Sequence, residues 1–353
     1  MPPNPFANGT HANGTLSWVP VLGRWDISAT NQKFLGESPK AATQSQQFPL
    51  GLAVSSVSMQ TGHCRVQIRF SGAFEEQEQA GGIVLGYRSP EQAYIFAELG
   101  AASGAYSVGE YMSGIGWRGL TSTGQRQNLQ PNLDYLLEVQ LSGQELTVLV
   151  DGVPILQHLL SRPLEGRQVG LIATGNQEIS FSNFDYEGSS PKAFVVMQFA
   201  EPYDTFYKEV IQKQAEAAGY EVFRIDEKAG PGVIFQDIQR EIEQAEVVIA
   251  EITPPNPNVF YEVGYAHALG KPTILLAQRG AQLPFDIRSA KGVVARRQTP
   301  QELVDPSGGA LDTMPVLREF LKSFRVVFYN DTIGGKAEVE RNLSKHLEAI
   351  TGR

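Results

Sequence analysis

A single glutamate interrupts a segment of the chain that is otherwise suited to burial. Residues 259–270, V-F-Y-E-V-G-Y-A-H-A-L-G, have the composition of a helix packed on nearly all sides, and Glu262 is their one carboxylate. Burying an ionisable group without a partner is costly, so a carboxylate in this setting needs a partner or a chemical task. Glu262 is therefore a candidate functional residue. The alternative is an acid that only interacts with the positive end of its helix.

The residues before Glu262 predict where its helix begins. Pro257 disfavours helical geometry at Asn256, and Asn258 is a suitable N-cap because its side chain can accept hydrogen bonds from N–H groups of the first turn. This start makes Glu262 the fourth helical residue. The helix dipole then favours the ionised carboxylate.

The second half of the chain alternates apolar strands with helices. Strands are predicted at 193–199, 220–225, 247–250 and 272–277, and helices at 203–218, 232–245 and 259–269. Strands that are apolar throughout and separated by single helices indicate a parallel sheet covered on both faces. The predicted fold of this half is α/β and flavodoxin-like.

Ligands of such sheets bind beyond the carboxyl ends of the strands. This rule selects candidate substrate-binding residues after the first three strands: Gln198, Phe199, Asp226, Gly230, Gly232, Glu251, Asn258 and Tyr261. The two glycines flank Pro231 before a helix, where exposed backbone N–H groups can hold a phosphate. Phe199 and Tyr261 are candidates for stacking on a base, although both also suit a core position.

In the first half of the chain, apolar and polar residues alternate in short segments. Short alternating strands are predicted at 65–70, 136–141, 146–150, 168–172 and 178–183. Asp151 and Gly152 lie between two apolar runs and form a strong two-residue hairpin signal, because both turn positions need positive φ. Many short strands with frequent turns indicate an antiparallel β-sandwich or jelly roll.

Three motifs in this half carry a resemblance. A-G-G-I-V-L-G-Y (80–87), Y-I-F-A-E-L-G (94–100) and V-D-G-V (150–153) resemble concanavalin-like, laminin-G-like sandwiches. The resemblance implies recognition of a glycan or a protein surface. The E-x-D-x-x-E strand motif of glycan-cleaving members is absent from the sequence, so we interpret this half as a recognition module.

Tryptophan is the residue type best suited to stacking on a sugar ring, but in a sandwich it more often belongs to the core. Of Trp18, Trp25 and Trp117, the last lies beside Gly114 and Gly116, which indicate an exposed loop. Trp117 is therefore the candidate contact for a glycan or protein partner.

Changes in composition along the chain predict its domain boundaries, and its net charge excludes some classes of partner. We expect a flexible tail at 1–15, the sandwich at 16–186, a linker at 187–192 and the α/β domain at 193–353. The net charge of -9 disfavours nucleic acid and anionic membranes as partners. The sequence shows no secretory signal and no long apolar run, so we expect a cytoplasmic protein. Its single cysteine excludes a cysteine-ligated zinc site, and we predict no other metal site.

The second half resembles the nucleoside 2-deoxyribosyltransferase-like and TIR-like superfamily. The likeness rests on E-V-V-I-A-E-I-T (246–253), N-P-N-V-F-Y-E-V-G-Y-A-H-A-L-G-K (256–271) and L-P-F-D-I-R (283–288). It implies cleavage of a glycosidic C–N bond, with Glu262 as the matching catalytic glutamate. It also implies that Asp226 and Glu251 contact ribose hydroxyls, although relatives often have aspartate at the second position. No cofactor is implied, since NAD would be a substrate.

The resemblance leaves the substrate open. A polar residue that deoxyribosyltransferases receive from a neighbouring subunit has no recognisable counterpart in 300–353, and the S-x-x-W-C-x-x-E signature of TIR helices is absent from the sequence. We predict an NAD glycohydrolase, active as a homo-oligomer in an antiviral or stress response. The alternatives are a nucleoside or nucleotide N-glycosidase or deoxyribosyltransferase, and a nucleotide sensor or scaffold without catalysis.

Overall fold

A computed structural model describes residues 16–28, 30–36, 49–72, 74, 79–89, 92–101, 104–164, 166–225, 235–281, 324–330 and 333–351. The chain divides into two compact units. The sandwich unit comprises Met1–Leu160 and Leu164–Ser189, and the α/β unit comprises Ser161–Pro163 and Ser190–Arg353.

The sandwich unit consists of two antiparallel seven-stranded sheets, which confirms the predicted sandwich. Its strands are β1 (Trp18–Leu22), β2 (Trp25–Ile27), β3 (Asn31–Phe34), β4 (Leu50–Ser58), β5 (Gly62–Phe70), β6 (Ala80–Tyr87), β7 (Tyr94–Leu99), β8 (Tyr106–Met112), β9 (Gly116–Thr123), β10 (Asp134–Ser142), β11 (Glu145–Val150), β12 (Val153–Leu159), β13 (Gln168–Thr174) and β14 (Ile179–Gly188). The sheet orders are β1-β4-β13-β6-β7-β8-β9 and β12-β11-β10-β5-β14-β3-β2.

Alternation of side chains builds the core between these sheets. Along β10, Leu137, Val139 and Leu141 are buried while the residues between them are more exposed. This is the two-residue period of a strand with one face against a core. The predicted hairpin joins β11 to β12, and Asp151 and Gly152 adopt φ values of 51° and 78°, as a two-residue turn of this hand requires.

The α/β unit contains a five-stranded parallel sheet. Its strands are β15 (Lys192–Val196), β16 (Glu221–Arg224), β17 (Val247–Glu251), β18 (Thr273–Gln278) and β19 (Phe324–Tyr329), and their order is β16-β15-β17-β18-β19. All four neighbouring pairs are parallel. This order is that of a flavodoxin-like sheet, so the predicted fold class is confirmed.

Helices cover both faces of this sheet. They are α1 (Tyr203–Phe206), a π-helical turn (Tyr207–Ile211), α2 (Gln212–Ala217), α3 (Phe235–Gln244), α4 (Pro257–Ala268) and α5 (Ile333–Thr351). The segment α1 to α2 and helix α5 share one core with Val195 and Ile249. Helices α3 and α4 share the other core with Phe194 and Val248. Successive strand residues thus serve opposite cores, as their unbroken apolar pattern predicts.

Within the described residues, no helix is long and apolar enough to cross a bilayer. The same part of the chain contains no group of three or more His, Cys, Asp or Glu side chains arranged to hold a metal ion. Cys64 is a free, buried thiol in the sandwich core, and burial raises its pKa to about 12.

Candidate active site

The carboxyl edge of the parallel sheet carries most of the described candidates. Gln198 and Phe199 follow β15, and Glu251 is the last residue of the neighbouring strand β17. Helix α4, which carries Tyr261 and Glu262, begins six residues after Glu251. The topology therefore places the ends of two adjacent strands and the start of one helix at the same edge. Asp226, Gly230 and Gly232 lie outside the described residues, as does the motif at 283–288.

The start of α4 corrects one prediction. The N-cap is Asn256, with φ -125° and ψ 122°, and its Oδ1 accepts a hydrogen bond from the N–H of Asn258 at 2.9 Å. Pro257 is the first helical residue, because it needs no N–H partner there and its φ is already suited to the helix. Asn258 is therefore inside the helix and exposed, rather than its cap. Glu262 becomes the sixth helical residue, in the second turn, where the helix dipole acts on it more weakly.

The Glu262 carboxyl is partly withdrawn from water, and no charged group among the described residues compensates it. Its side chain is partly buried next to Val263 and one turn from Val259, which are both core residues. It has no hydrogen bond or ion pair with any other described residue. Desolvation alone raises its pKa from 4.5 to about 7. This carboxyl therefore titrates near neutrality and is available to a ligand.

Glu251 is more deeply buried but is held by neighbours. Its side chain is 2% exposed, and its Oε1 accepts a hydrogen bond from the backbone N–H of Thr253 at 2.9 Å. Desolvation raises its pKa to about 8, and the hydrogen bond from the Thr253 N–H opposes the shift, while Oε2 has no hydrogen-bond partner among the described residues. At neutral pH the buried carboxyl is therefore mostly protonated, and it can donate as well as accept a hydrogen bond.

Tyr329, the last residue of β19, lies at the same carboxyl edge and was missed by the sequence reasoning. Its pKa is raised mainly by burial and also by the nearby Glu251 charge. The apolar run F-R-V-V-F-Y at 324–329 is a strand signal that would have revealed it, since a fifth parallel strand also ends at the carboxyl edge.

A buried arginine lies beneath Phe199. The guanidinium of Arg224, the last residue of β16, lies 5.0 Å from the centre of the Phe199 ring and 4.7 Å from that of Tyr207. Its Nη1 donates to Asp204 Oδ1 at 2.7 Å. Arg224 is 4% exposed, whereas Phe199 is 50% exposed. The cation fixes one face of this phenylalanine ring and leaves the ring accessible to a planar ligand.

Tyr261 and Trp117 are the other two exposed aromatic candidates. Tyr261 is 50% exposed on α4, and Trp117 is 44% exposed in the sandwich unit. Trp117 lies at the start of β9 rather than in a loop, and its ring contacts those of Tyr111 at 5.2 Å and Phe96 at 5.3 Å. An aromatic surface of this kind suits the flat face of a sugar ring.

Two solved structures of sugar-binding or sugar-cleaving proteins are similar to parts of this chain. One is the carbohydrate-binding module CBM66 from Bacillus subtilis, with 14% identity over 48% of this chain and 95% of that chain and a TM-score of 0.39. Another is the CMP N-glycosidase BcmB from Clostridium botulinum, with 18% identity over 43% of this chain and 97% of that chain and a TM-score of 0.27. At these TM-scores the likenesses carry no functional argument.

Sequence comparison gives a more specific result for the α/β unit. A curated relative, the 5-hydroxymethyl-dUMP N-hydrolase of Rattus norvegicus, is 36% identical over 86 residues, which are 24% of this chain. The chain thus spans about half the length of this relative, 53%. Residues 198–314 match the nucleoside 2-deoxyribosyltransferase family, and this stretch includes Glu251 and Glu262. The C-terminal part of the chain therefore contains a nucleoside 2-deoxyribosyltransferase-like domain.

Proposed function

We propose that the α/β unit is an N-glycosidase that cleaves the bond between a sugar and a nitrogenous base in a nucleotide or nucleoside, with Glu262 as its catalytic carboxylate. The observation that carries the proposal is the desolvated Glu262 carboxyl, which lacks a partner among the described residues. The family match over 198–314 and the N-hydrolase relative support the reaction class.

The chemistry follows from the charge of this carboxylate. As the C–N bond breaks, the base leaves with the electron pair and positive charge develops at the anomeric carbon and ring oxygen. An anionic oxygen in a site shielded from water stabilises that charge far more than it would in bulk solvent. Glu262 acts as the stabilising anion or as a nucleophile whose sugar ester water then hydrolyses. Both roles need the ionised form.

The reaction requires that form, so turnover depends on pH. The Glu262 pKa of about 7 lies above the ordinary value of 4.5. The fraction of enzyme with ionised Glu262 therefore falls as pH drops through about 7. Above pH 8 nearly all of the enzyme is in the ionised form. A pH profile of kcat/KM, which reports the ligand-free enzyme, with no inflection near neutrality contradicts this assignment.

The relative's name favours a deoxynucleoside monophosphate as substrate. NAD remains the substrate predicted from the TIR-like resemblance. Its nicotinamide is already cationic, so it leaves as a neutral base and needs no proton, whereas a pyrimidine or purine base leaves more readily when it is protonated. The exposed ring of Phe199 on its Arg224 support can stack on any of these bases.

A substrate panel tests the proposal. Purified protein is incubated with NAD, with deoxynucleoside monophosphates including the 5-hydroxymethyl-dUMP of the relative, and with deoxynucleosides alone or with a second free base. Released base and exchanged nucleoside are measured by chromatography. Hydrolysis of one class identifies the substrate, and base exchange identifies a transferase. Binding without turnover of any of them contradicts the enzymatic proposal and favours a sensor.

Substitution of the carboxylate is the decisive variant. Glu262→Gln keeps the side-chain shape and removes the charge, so we expect turnover to fall roughly 10³-fold or more. The matched control is Glu216→Gln, an exposed glutamate on α2, which should keep wild-type rates. Full activity of Glu262→Gln contradicts the assignment.

The sandwich unit is proposed to recognise a glycan or protein partner through Trp117. The half-exposed indole beside Tyr111 and Phe96 supports this role. Assembly into a homo-oligomer and a role in antiviral or stress responses stay predictions. Light scattering of the full chain, with and without a glycan retained on a glycan array, tests the first; loss of array binding in Trp117→Ala is the expected result.

A further inference from the structure

An ion pair lies under the exposed Phe199 ring. The Arg224 guanidinium lies 5.0 Å from the centre of that ring, and its Nη1 donates to Asp204 Oδ1 at 2.7 Å. The two members of the pair differ in exposure, since the Arg224 side chain is 5% exposed and that of Asp204 is 31% exposed. Water therefore screens the carboxylate more than the guanidinium, and the ring lies on the positive member of the pair.

The packing around Arg224 holds its guanidinium in this place. Its second aromatic neighbour is Tyr207, which is fully buried and whose ring centre lies 4.7 Å from the guanidinium. Tyr207 begins the π-helical turn, and Phe206 before it is buried too. A π-helical turn contains more residues than an α-helical one, so it lets two consecutive side chains face the interior. Phe199, Tyr207 and Asp204 together fix the guanidinium.

Phe199 lies close to the elements that carry the proposed catalytic carboxylate. It follows the end of β15 by three residues. Helix α4, which carries Glu262, packs against β15, and Val196 and Val263 belong to one core. The Phe199 ring is 50% exposed. Because the guanidinium occupies one face of the ring, a planar ligand stacks on the other face.

A cation on one face of an aromatic ring changes what the other face attracts. An isolated phenylalanine ring attracts cations through the negative charge above each of its faces. The Arg224 guanidinium already draws on that charge, and it repels a second positive charge on the opposite side. A neutral base meets no such repulsion, and its electron-rich ring is attracted to a ring whose electron density is drawn away. Either kind of base fits on Phe199, and the cation decides the preference.

We propose that Arg224 is a specificity-determining residue: its guanidinium under Phe199 selects a nucleotide with a neutral base over one with a cationic base, such as the nicotinamide of NAD. The inference deepens the proposed function and rests on it for the statement that the selected ligand is a substrate. It names nucleotides with a neutral purine or pyrimidine base as the substrate class and ranks NAD below them.

The test uses two ligands that differ in the charge of one ring. Nicotinamide mononucleotide carries a cationic pyridinium, and its reduced form carries a neutral dihydropyridine on the same ribose phosphate. Dissociation constants are measured by calorimetry on the full chain with Glu262→Gln, which prevents turnover and removes the attraction of that carboxylate for a cation. We expect the neutral form to bind roughly 10-fold more tightly than the cationic form.

The decisive variant removes the ion pair as a whole. Arg224→Met together with Asp204→Asn keeps an apolar stem against Phe199 and leaves no unpaired buried charge. The preference for the neutral form should fall to about 2-fold or less, mainly because the cationic form binds more tightly. The matched control is Lys336→Met together with Glu209→Gln, which removes a more exposed ion pair of the same unit with Nζ 3.0 Å from Oε2. It should keep the preference of the parent chain.

A further variant covers the case in which the pair variant does not fold. Phe199→Leu keeps the ion pair and removes the ring through which it acts, so it should weaken the neutral form more than the cationic form and reduce the preference. Melting temperatures show which variants are folded. Equal affinity of the parent chain for the two forms, tighter binding of the cationic form, or binding of neither form overturns the inference. So does an unchanged preference in a folded pair variant or in Phe199→Leu.

Failure of the proposed function is distinguishable from failure of this inference. A chain with intact Glu262 that turns over no nucleotide removes the proposed function. The binding preference is measured without turnover, so it still decides whether Arg224 discriminates between ligands by the charge of their base.

Discussion

A surface ion pair of the sandwich unit and the desolvated groups of the α/β unit contrast in what they contribute to stability. In the sandwich unit, Arg65 pairs with Asp185 at the surface, with Nη2 2.7 Å from Oδ2. In the α/β unit, Glu251 and Lys271 are almost fully buried and Glu262 is partly buried. A surface pair adds little to stability because water screens it, whereas charge withheld from water shifts both pKa and stability. Desolvation also raises the pKa of Glu98 in the sandwich unit to about 7, so the contrast is between surface pairs and desolvated groups and does not separate the two units as wholes.

The units can be followed separately during unfolding. All three tryptophans belong to the sandwich unit. The described helices longer than three residues belong to the α/β unit. Tryptophan emission therefore follows unfolding of the sandwich unit, and far-ultraviolet circular dichroism in the helical band follows the α/β unit. Urea titrations with both probes can assign each change in stability to one unit.

The largest expected effect on stability comes from Glu262. Its folded pKa of about 7 exceeds 4.5, so the folded state holds the proton more tightly, and stability decreases as pH rises from about 4.5 through 7. Glu262→Gln removes the penalty and should stabilise the α/β unit by about 2–3 kcal/mol at pH 8. The gain should shrink at pH 5. An equal gain at both pH values contradicts the linkage.

Lys271 should give the next largest effect, with the opposite sign. It is 1% exposed, and its Nζ donates to the carbonyl oxygens of Glu243 and Ala245, each at 2.6 Å, at the C-terminal end of α3. Lys271→Met keeps the apolar stem and leaves both carbonyls without this donor, so the α/β unit should lose about 2 kcal/mol. Unchanged dichroism-monitored unfolding contradicts this role.

Arg118 tests a buried carboxylate of the sandwich unit. It pairs with Glu110, which is 2% exposed although Arg118 is not buried. Arg118→Gln leaves a buried carboxylate without its cation, and the sandwich unit should lose about 1 kcal/mol in urea titrations followed by tryptophan emission. If Glu110→Gln in the same background does not restore stability, the buried charge is not the cause.

The smallest effect is expected at Arg65. Its pair with Asp185 is partly exposed, so Arg65→Gln should change the stability of the sandwich unit by about 0.5 kcal/mol or less. A loss as large as that of Arg118→Gln would erase the distinction between surface and buried pairs. Repeating the titration at high salt should change the Arg65 variant less than the wild type.

Sequence reasoning recovered the architecture because its signals are local and periodic. The apolar runs at 193–199 and 247–250 correspond to β15 and β17, and the Asp151–Gly152 turn lies where the hairpin pattern predicted it. The observed strand ends differ from the predicted ones by a few residues, because hydrogen bonding to the neighbouring strand, rather than composition, decides where a strand stops.

The site was less predictable because tertiary contacts decide it. Asn256 and Asn258 are the same residue type two positions apart. Because proline is accepted as the first residue of a helix, Pro257 begins α4 and Asn256 is its cap. The π-helical turn at Tyr207–Ile211 has no local signature in an otherwise helical pattern. Arg224 and Tyr329 are distant in sequence from the residues they contact, so no spacing rule joins them.

The position of β19 has a consequence for the order of folding. Strands β15 to β18 and helix α4 leave the ribosome before β19, which is the edge strand of the described sheet and pairs with β18. A nascent chain thus carries Glu262 before it carries Tyr329. The parallel sheet next to α4 is complete only after translation has passed residue 329.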